Sequence, residues 1–158
     1  MAARAAPTRV VADASPQIEG GITMSSEQVA VVRRAYEGFA KGDIPSVLGL
    51  IAPQDEWVET DLEAIPTHGT HRGLETGARS VFAPVPQYFS AFAIVPEQFL
   101  EVGDHVVVTG RVRATGKETG RSMNAPFAHV FTVRDGKITK LLNFHDTRRW
   151  LHVLGGQP

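Results

Sequence analysis

Cysteine is missing from all 158 residues, which excludes disulfides, a thiolate nucleophile and any sulfur-ligated metal, and suits a reducing compartment. An excess of charge of one sign is missing as well. Sixteen basic side chains against 17 acidic ones give a formal net charge of -1, without a basic cluster to cover phosphates, so nucleic acid is not an expected partner. No apolar run has the length of a membrane span or of a signal-peptide core, and the expectation is a cytoplasmic protein with no membrane partner. Repeats and low-complexity linkers are also lacking. What remains is ordinary globular composition, 42% apolar and 21% charged, in a length that suits one domain with one core.

Residues 1–24 are dominated by alanine, proline and glycine up to a second methionine, Met24, and read as a flexible N-terminal extension to a domain at 25–155. Ser25, three residues before Gln28, suggests a capping box, and Val29, Val32, Tyr36 and Phe39 follow at helical spacing until Lys41-Gly42. Asp43 caps a second helix, with Pro45 in its first turn and Pro53 at its end. Alternation predicts a short strand from Trp57 to Asp61, and a helix is expected over 73–82 before Pro84 and Pro86. Four strands follow, at Ile94–Val102, His105–Thr115, Met123–Val133 and Lys137–Phe144, with turns at Gly103-Asp104, Thr115–Gly120 and Asp135-Gly136. A last helix, Thr147–Leu154, is capped by Asp146 and stopped by Gly155-Gly156. Helices first and strands later predict an α+β fold with helices on one face of an antiparallel sheet.

The segments VVRRAYEGFAKGDIPSVLGLIAP, EWVETD and FAHVFTVRDGKITKLLNFHDT resemble the SnoaL-like branch of the nuclear transport factor 2-like superfamily, over about Ser25 to Leu154. The resemblance implies a cone-shaped, strongly curved antiparallel or mixed sheet with an N-terminal helical hairpin, enclosing a pocket, often in a homodimer. It also implies an acid/base enzyme that needs no cofactor: a polyketide cyclase, an isomerase related to ketosteroid isomerase, or a lyase. Its substrate would be a small, largely apolar carbonyl compound. A non-catalytic binding or accessory protein is the alternative, since fold does not select among these. An epoxide hydrolase is a further one, for which the Arg and paired Asp residues of that branch are not identifiable.

SnoaL-like cyclases follow a strand histidine, fourteen residues later, with the acid/base aspartate; here that spacing runs from His129 to Asn143. An amide cannot hold the proton but can donate to a developing oxyanion, leaving proton transfer to His129. The plain alternative is a core histidine. Alternation places Phe127, His129 and Phe131 on one strand face and Leu141, Asn143 and His145 on one face of the next. Glu59 and Asp61 share a face with Trp57, either as candidate bases against an apolar wall or as a solvated edge. Tyr36 is assigned to the apolar stripe of the first helix. Phe82, Tyr88 and Phe89 supply either a lid against the ligand or plain core, and His145 lies at the cavity rim or at a polar strand end. His68 and His71 raise a metal site only weakly, and none is expected; Arg72 has the option of pairing with a carboxylate.

Overall fold

The computed structural model describes residues 26–156; the expected extension at 1–24, and Ser25 with its capping box, lie outside them. Helix α1, Glu27–Ala40, starts at Ser26, whose hydroxyl accepts the Val29 amide at 3.1 Å. Val29, Val32 and Ala35 are buried along one stripe, with Tyr36 and Phe39 packed beside them. Helix α2, Ile44–Leu48, is capped by Asp43, which accepts the Ser46 amide at 3.2 Å. The hairpin closes tightly because Gly38 has no side chain: a Cβ there would lie 2.9 Å from Val47 Cγ2.

The second helix stops at Leu48, earlier than expected, because the next residues join the sheet. The Leu50 carbonyl accepts the Ile138 amide at 2.8 Å, and strand β1 runs over Ile51–Val58. Pro53, expected to end a helix, sits inside this strand where the pairing register shifts between Ile51 and Glu56, a place where a ladder donor is not needed. The strand also ends at Val58, short of the predicted Asp61. Strand β2, Thr70–Arg72, and the short helix α4, Val85–Tyr88, have no counterpart in the sequence reading. Between them lies α3, Leu74–Phe82.

The long strands are β3 (Phe89–Val102), β4 (His105–Gly116), β5 (Ser122–Arg134) and β6 (Lys137–His145). The sheet order is β2-β1-β6-β5-β4-β3, antiparallel throughout except that β1 runs parallel to β6. It is therefore a mixed sheet. Asp135 and Gly136, with φ of 51° and 70°, form the left-handed turn that joins β5 to β6 as the Asp-Gly pair predicts. Alternation sends Val106, Val108, Val112 and Ala114 of β4, and Met123, Ala125, Phe127, His129 and Phe131 of β5, inward on the face that α1 and α5 cover.

Helix α5, Thr147–Leu154, buries Trp150, Leu151 and Val153. Asp146 caps it, its Oδ1 accepting the Arg149 amide at 3.1 Å while Oδ2 pairs with the Arg149 guanidinium at 3.1 Å. Asp146→Ala is expected to lower stability by about 1 kcal/mol, the usual cost of losing a capping carboxylate, as read by urea unfolding. Asp146→Asn should recover most of that loss.

Candidate active site

Between the concave sheet face and helices α1, α3, α4 and α5 lies a cavity of about 100 Å³. Its wall is largely apolar and rich in aromatic rings: Tyr36, Phe39, Trp57, Phe82, Tyr88, Phe89, Phe92, Phe131 and Trp150. Its polar side chains are Glu59, Thr67, His129, Asn143 and His145. An apolar surround with few polar groups is the usual chemistry of a small-molecule site.

Cross-strand pairing builds the polar cluster. His129 of β5 and Asn143 of β6 face each other in register, and Phe127–His145 and Phe131–Leu141 are the pairs on either side. Glu59, one residue beyond β1, reaches the same level because β1 and β6 run parallel, with Val58 opposite Leu142. Asn143 Nδ2 donates to Glu59 Oε2 at 2.6 Å. From the opposite side, the Tyr36 hydroxyl of α1 lies 2.6 Å from His129 Nδ1. The tyrosine and histidine rings are also stacked, 7° apart in plane.

Burial sets the protonation states. Glu59 is 5% exposed, and removing its carboxylate from water pushes its pKa up to about 7, against the opposing Asn143 hydrogen bond. It is poised to exchange a proton near neutrality. His129 is pulled down to about 3 by burial, with His145 nearby adding to the effect, so its ring is neutral. Burial raises the Tyr36 pKa, which keeps the phenol protonated. Among the described residues no other acceptor takes the Tyr36 hydroxyl; with its O–H donating to Nδ1, the arrangement that satisfies the phenol, the ring proton of His129 sits on Nε2.

These states change the roles expected from the sequence. A histidine that stays neutral down to pH about 3 is a poor general base, whereas a carboxylate near 7 is a good one. His129 is better suited to donating from Nε2, as Asn143 is with its amide. Tyr36 was missed by the sequence reading, although a lone hydroxyl in an otherwise apolar stripe needs a partner inside. Tyr36→Phe is expected to free the Nδ1 lone pair and unfix the tautomer, visible as altered imidazole resonances of His129 in 15N NMR with the fold intact.

Several predicted residues lie elsewhere. Asp61 is exposed: the chain leaves the sheet after Val58, and Thr60 accepts the Gly69 amide at 2.8 Å in a loop, so the alternation carrying Trp57 and Glu59 inward ends before Asp61. Phe127 is buried but does not line the cavity; it packs behind His129, with ring centroids 4.3 Å apart. Trp57, Phe82, Tyr88, Phe89, Phe131 and His145 all reach the cavity wall, and Tyr88 is 44% exposed at its edge. His68 Nδ1 and His71 Nε2 contact the carbonyls of Ile65 and Thr67 at 2.9 and 3.0 Å, and no group of three potential ligands suited to a metal occurs among the described residues. Arg72 pairs with Glu56 at 2.8 Å. A second buried carboxylate, Asp55, lies outside the cavity beside α3, 2% exposed and with its pKa raised by burial.

No helix among the described residues is long and apolar enough to cross a membrane. A search of curated proteins gives no match. Among solved structures, TerC co-crystallised with polyporic acid is 30% identical, with a TM-score of 0.76 over 83% of this chain and 100% of that one. An NTF2-like protein of unknown function from Burkholderia pseudomallei is 28% identical, with a TM-score of 0.73 over 82% and 98% of the two chains. A protein with a ketosteroid isomerase-like fold from Catenulispora acidiphila, in complex with trimethylamine, shares the fold at 16% identity, with a TM-score of 0.67 over 80% and 93%. The sequence model of the SnoaL-like domain matches residues 32–141, from within α1 through the cavity-lining Leu141, and the chain belongs to that SnoaL-like family.

Proposed function

We propose that the cavity is a cofactor-independent acid/base site in which Glu59 removes a proton from the carbon next to a carbonyl of a small, largely apolar substrate. His129 Nε2–H and the Asn143 amide stabilise the enolate oxygen that results. The observation that carries this reading is the buried Glu59–Asn143 pair, 2.6 Å apart, facing the Tyr36–His129 pair across an aromatic cavity. Removal of water strengthens each of these interactions, and the enolate meets donors already in place. Enolate formation is the step that isomerisation, aldol-type cyclisation and β-elimination share; protonated Glu59 then returns the proton to another carbon, to the new alkoxide or to the leaving group respectively.

Size supports a small substrate. An apolar cavity of roughly 150 Å³ takes up benzene, so about 100 Å³ suits a molecule of about one ring, with some yielding at the Tyr88 edge. The relative crystallised with polyporic acid supports occupation of this fold by an organic ligand.

The test is proton exchange. In D2O, the α-hydrogens of cyclohexanone should exchange faster with the protein than without it, as followed by 1H NMR. Glu59→Gln should abolish the acceleration, and His129→Ala with Asn143→Ala should reduce it by about 10²–10³-fold, the scale for loss of oxyanion donors. Unchanged exchange in Glu59→Gln rules out this base. The alternative, a non-catalytic binding protein, draws on one observation, the amide of Asn143 where the cyclases carry a carboxylate; it requires saturable binding with no exchange.

A further inference from the structure

The polar groups of the cavity divide into two sets. Around Glu59 two pairs answer one another, Asn143 donating to the carboxylate and Tyr36 to His129, although among the described residues Asn143 Oδ1 and the Trp57 indole nitrogen have no partner. One step further along β6 they do not. His145 has both ring nitrogens buried without a hydrogen-bond partner, and so does the indole nitrogen of Trp150. Both residues line the cavity, and their rings stack with centroids 4.7 Å apart and planes 22° apart. Trp150 is 6% exposed.

Buried polar atoms in native proteins nearly always have partners, so unpartnered ones in a cavity wall mark where another molecule's polar atom belongs. We propose that His145 and Trp150 form a hydroxyl-recognition subsite, and that the ligand is a ring-sized carbonyl compound bearing a hydroxyl group across the ring from its carbonyl. The inference rests on the reading of the Glu59 end as the carbonyl end.

The chemistry of the three nitrogens selects the group. Burial holds the His145 imidazole neutral, with its pKa near 4, so it offers one N–H and one lone pair, and Trp150 offers one N–H. A ligand hydroxyl accepts from an N–H and donates to the lone pair. A carbonyl or ether oxygen serves only the donors, a carboxylate sets its charge against the lone pair, and an apolar substituent serves none. Spacing selects the size. Asn143 and His145 are two residues apart on one face of β6, on the order of 7 Å along the strand, somewhat more than the distance between oxygens on opposite corners of a six-membered ring, and the hydrogen bonds at the two ends span the remainder.

Two ketones test this: cyclohexanone, and 4-hydroxycyclohexanone, which adds only the hydroxyl. Binding is measured by chemical-shift titration and α-hydrogen exchange is recorded in the same samples. The wild type should bind the hydroxyketone about tenfold more tightly. His145→Phe, which keeps the stack on Trp150 but has no nitrogen, should bring the ratio near one, and Trp150→Phe should reduce it. Equal affinities in the wild type, or a preference that survives both substitutions, overturn the subsite. Failure of both ketones to bind overturns it too. Exchange of both ketones without a preference leaves the acid/base reading standing alone, whereas a His145-dependent preference without exchange leaves the subsite standing and removes the catalytic reading.

Discussion

Glu59→Gln is expected to make the protein more stable at pH 8 by about 3 kcal/mol while removing its proton-transfer activity. The folded-state pKa of Glu59 lies near 7, above the ordinary value of 4.5, because the ionised form is buried. A carboxyl raised in this way favours the folded state fully below pH 4.5, and that contribution is lost as pH rises through 7. At pH 8 the folded protein carries a buried negative charge, whereas glutamine carries none and still accepts from Asn143 Nδ2. The stability difference between the two proteins should therefore be close to zero at pH 4 and grow through pH 5–7. Urea unfolding at several pH values reads it, and a pH-independent difference would contradict a buried, titrating Glu59. In the wild type, exchange should rise with pH to a plateau with an apparent pKa near 7. His129 acts in the opposite direction. Its pKa is depressed to about 3, so its contribution is whole above 6.5 and falls by about 2 kcal/mol on going to pH 5.

Gly110→Ala is expected to destabilise the fold by about 3 kcal/mol, the upper end of the usual range for overpacking. A Cβ at Gly110 would fall on the carbonyl oxygen of Val95 and lie 2.9 Å from both Pro96 Cα and Phe127 Cε1. Two of these three atoms are backbone, so rotating a side chain cannot relieve the crowding, and β3 has to move away from β4 beside the register shift at Pro96–Gln98. Phe127 packs against His129, so the displacement reaches the polar cluster. Thermal unfolding measures the loss. Gly103→Ala is a useful contrast: no atom lies near its would-be Cβ, and the cost there comes only from its positive φ of 62°.

The β3–β6 meander apart from residues 89–93, the two helices of the hairpin, and the Asp43 and Asp146 caps were legible in the sequence because each depends on local chemistry: alternation, an Asp-Gly turn, a carboxylate before a helix. The first strand was not. Leu50 and Ile51 continue an apolar helical run, and only their pairing with Ile138, far along the chain, makes them part of the sheet. The same limit shaped the site. Strand periodicity put His129 and Asn143 each on one face of its strand and the family resemblance paired them, and periodicity grouped Glu59 with Trp57, but it gave no reason to stop before Asp61, where a loop takes over. The protonation state of His129 was not legible because solution pKa values describe an exposed ring, whereas burial lowers its tendency to take a proton.

The two hydrogen bonds that define the polar cluster join residues 84 and 93 positions apart. The β3–β4 and β5–β6 hairpins close short loops and can form early, whereas the parallel β1–β6 pair requires the two ends of the domain to meet, a slow event in loop-closure terms. Glu59 reaches Asn143 only when that last strand docks. During synthesis, Glu59 therefore cannot meet Asn143 until β6 has emerged, and a chain stalled earlier has nothing to join β1 and β2 to the β3–β5 strands.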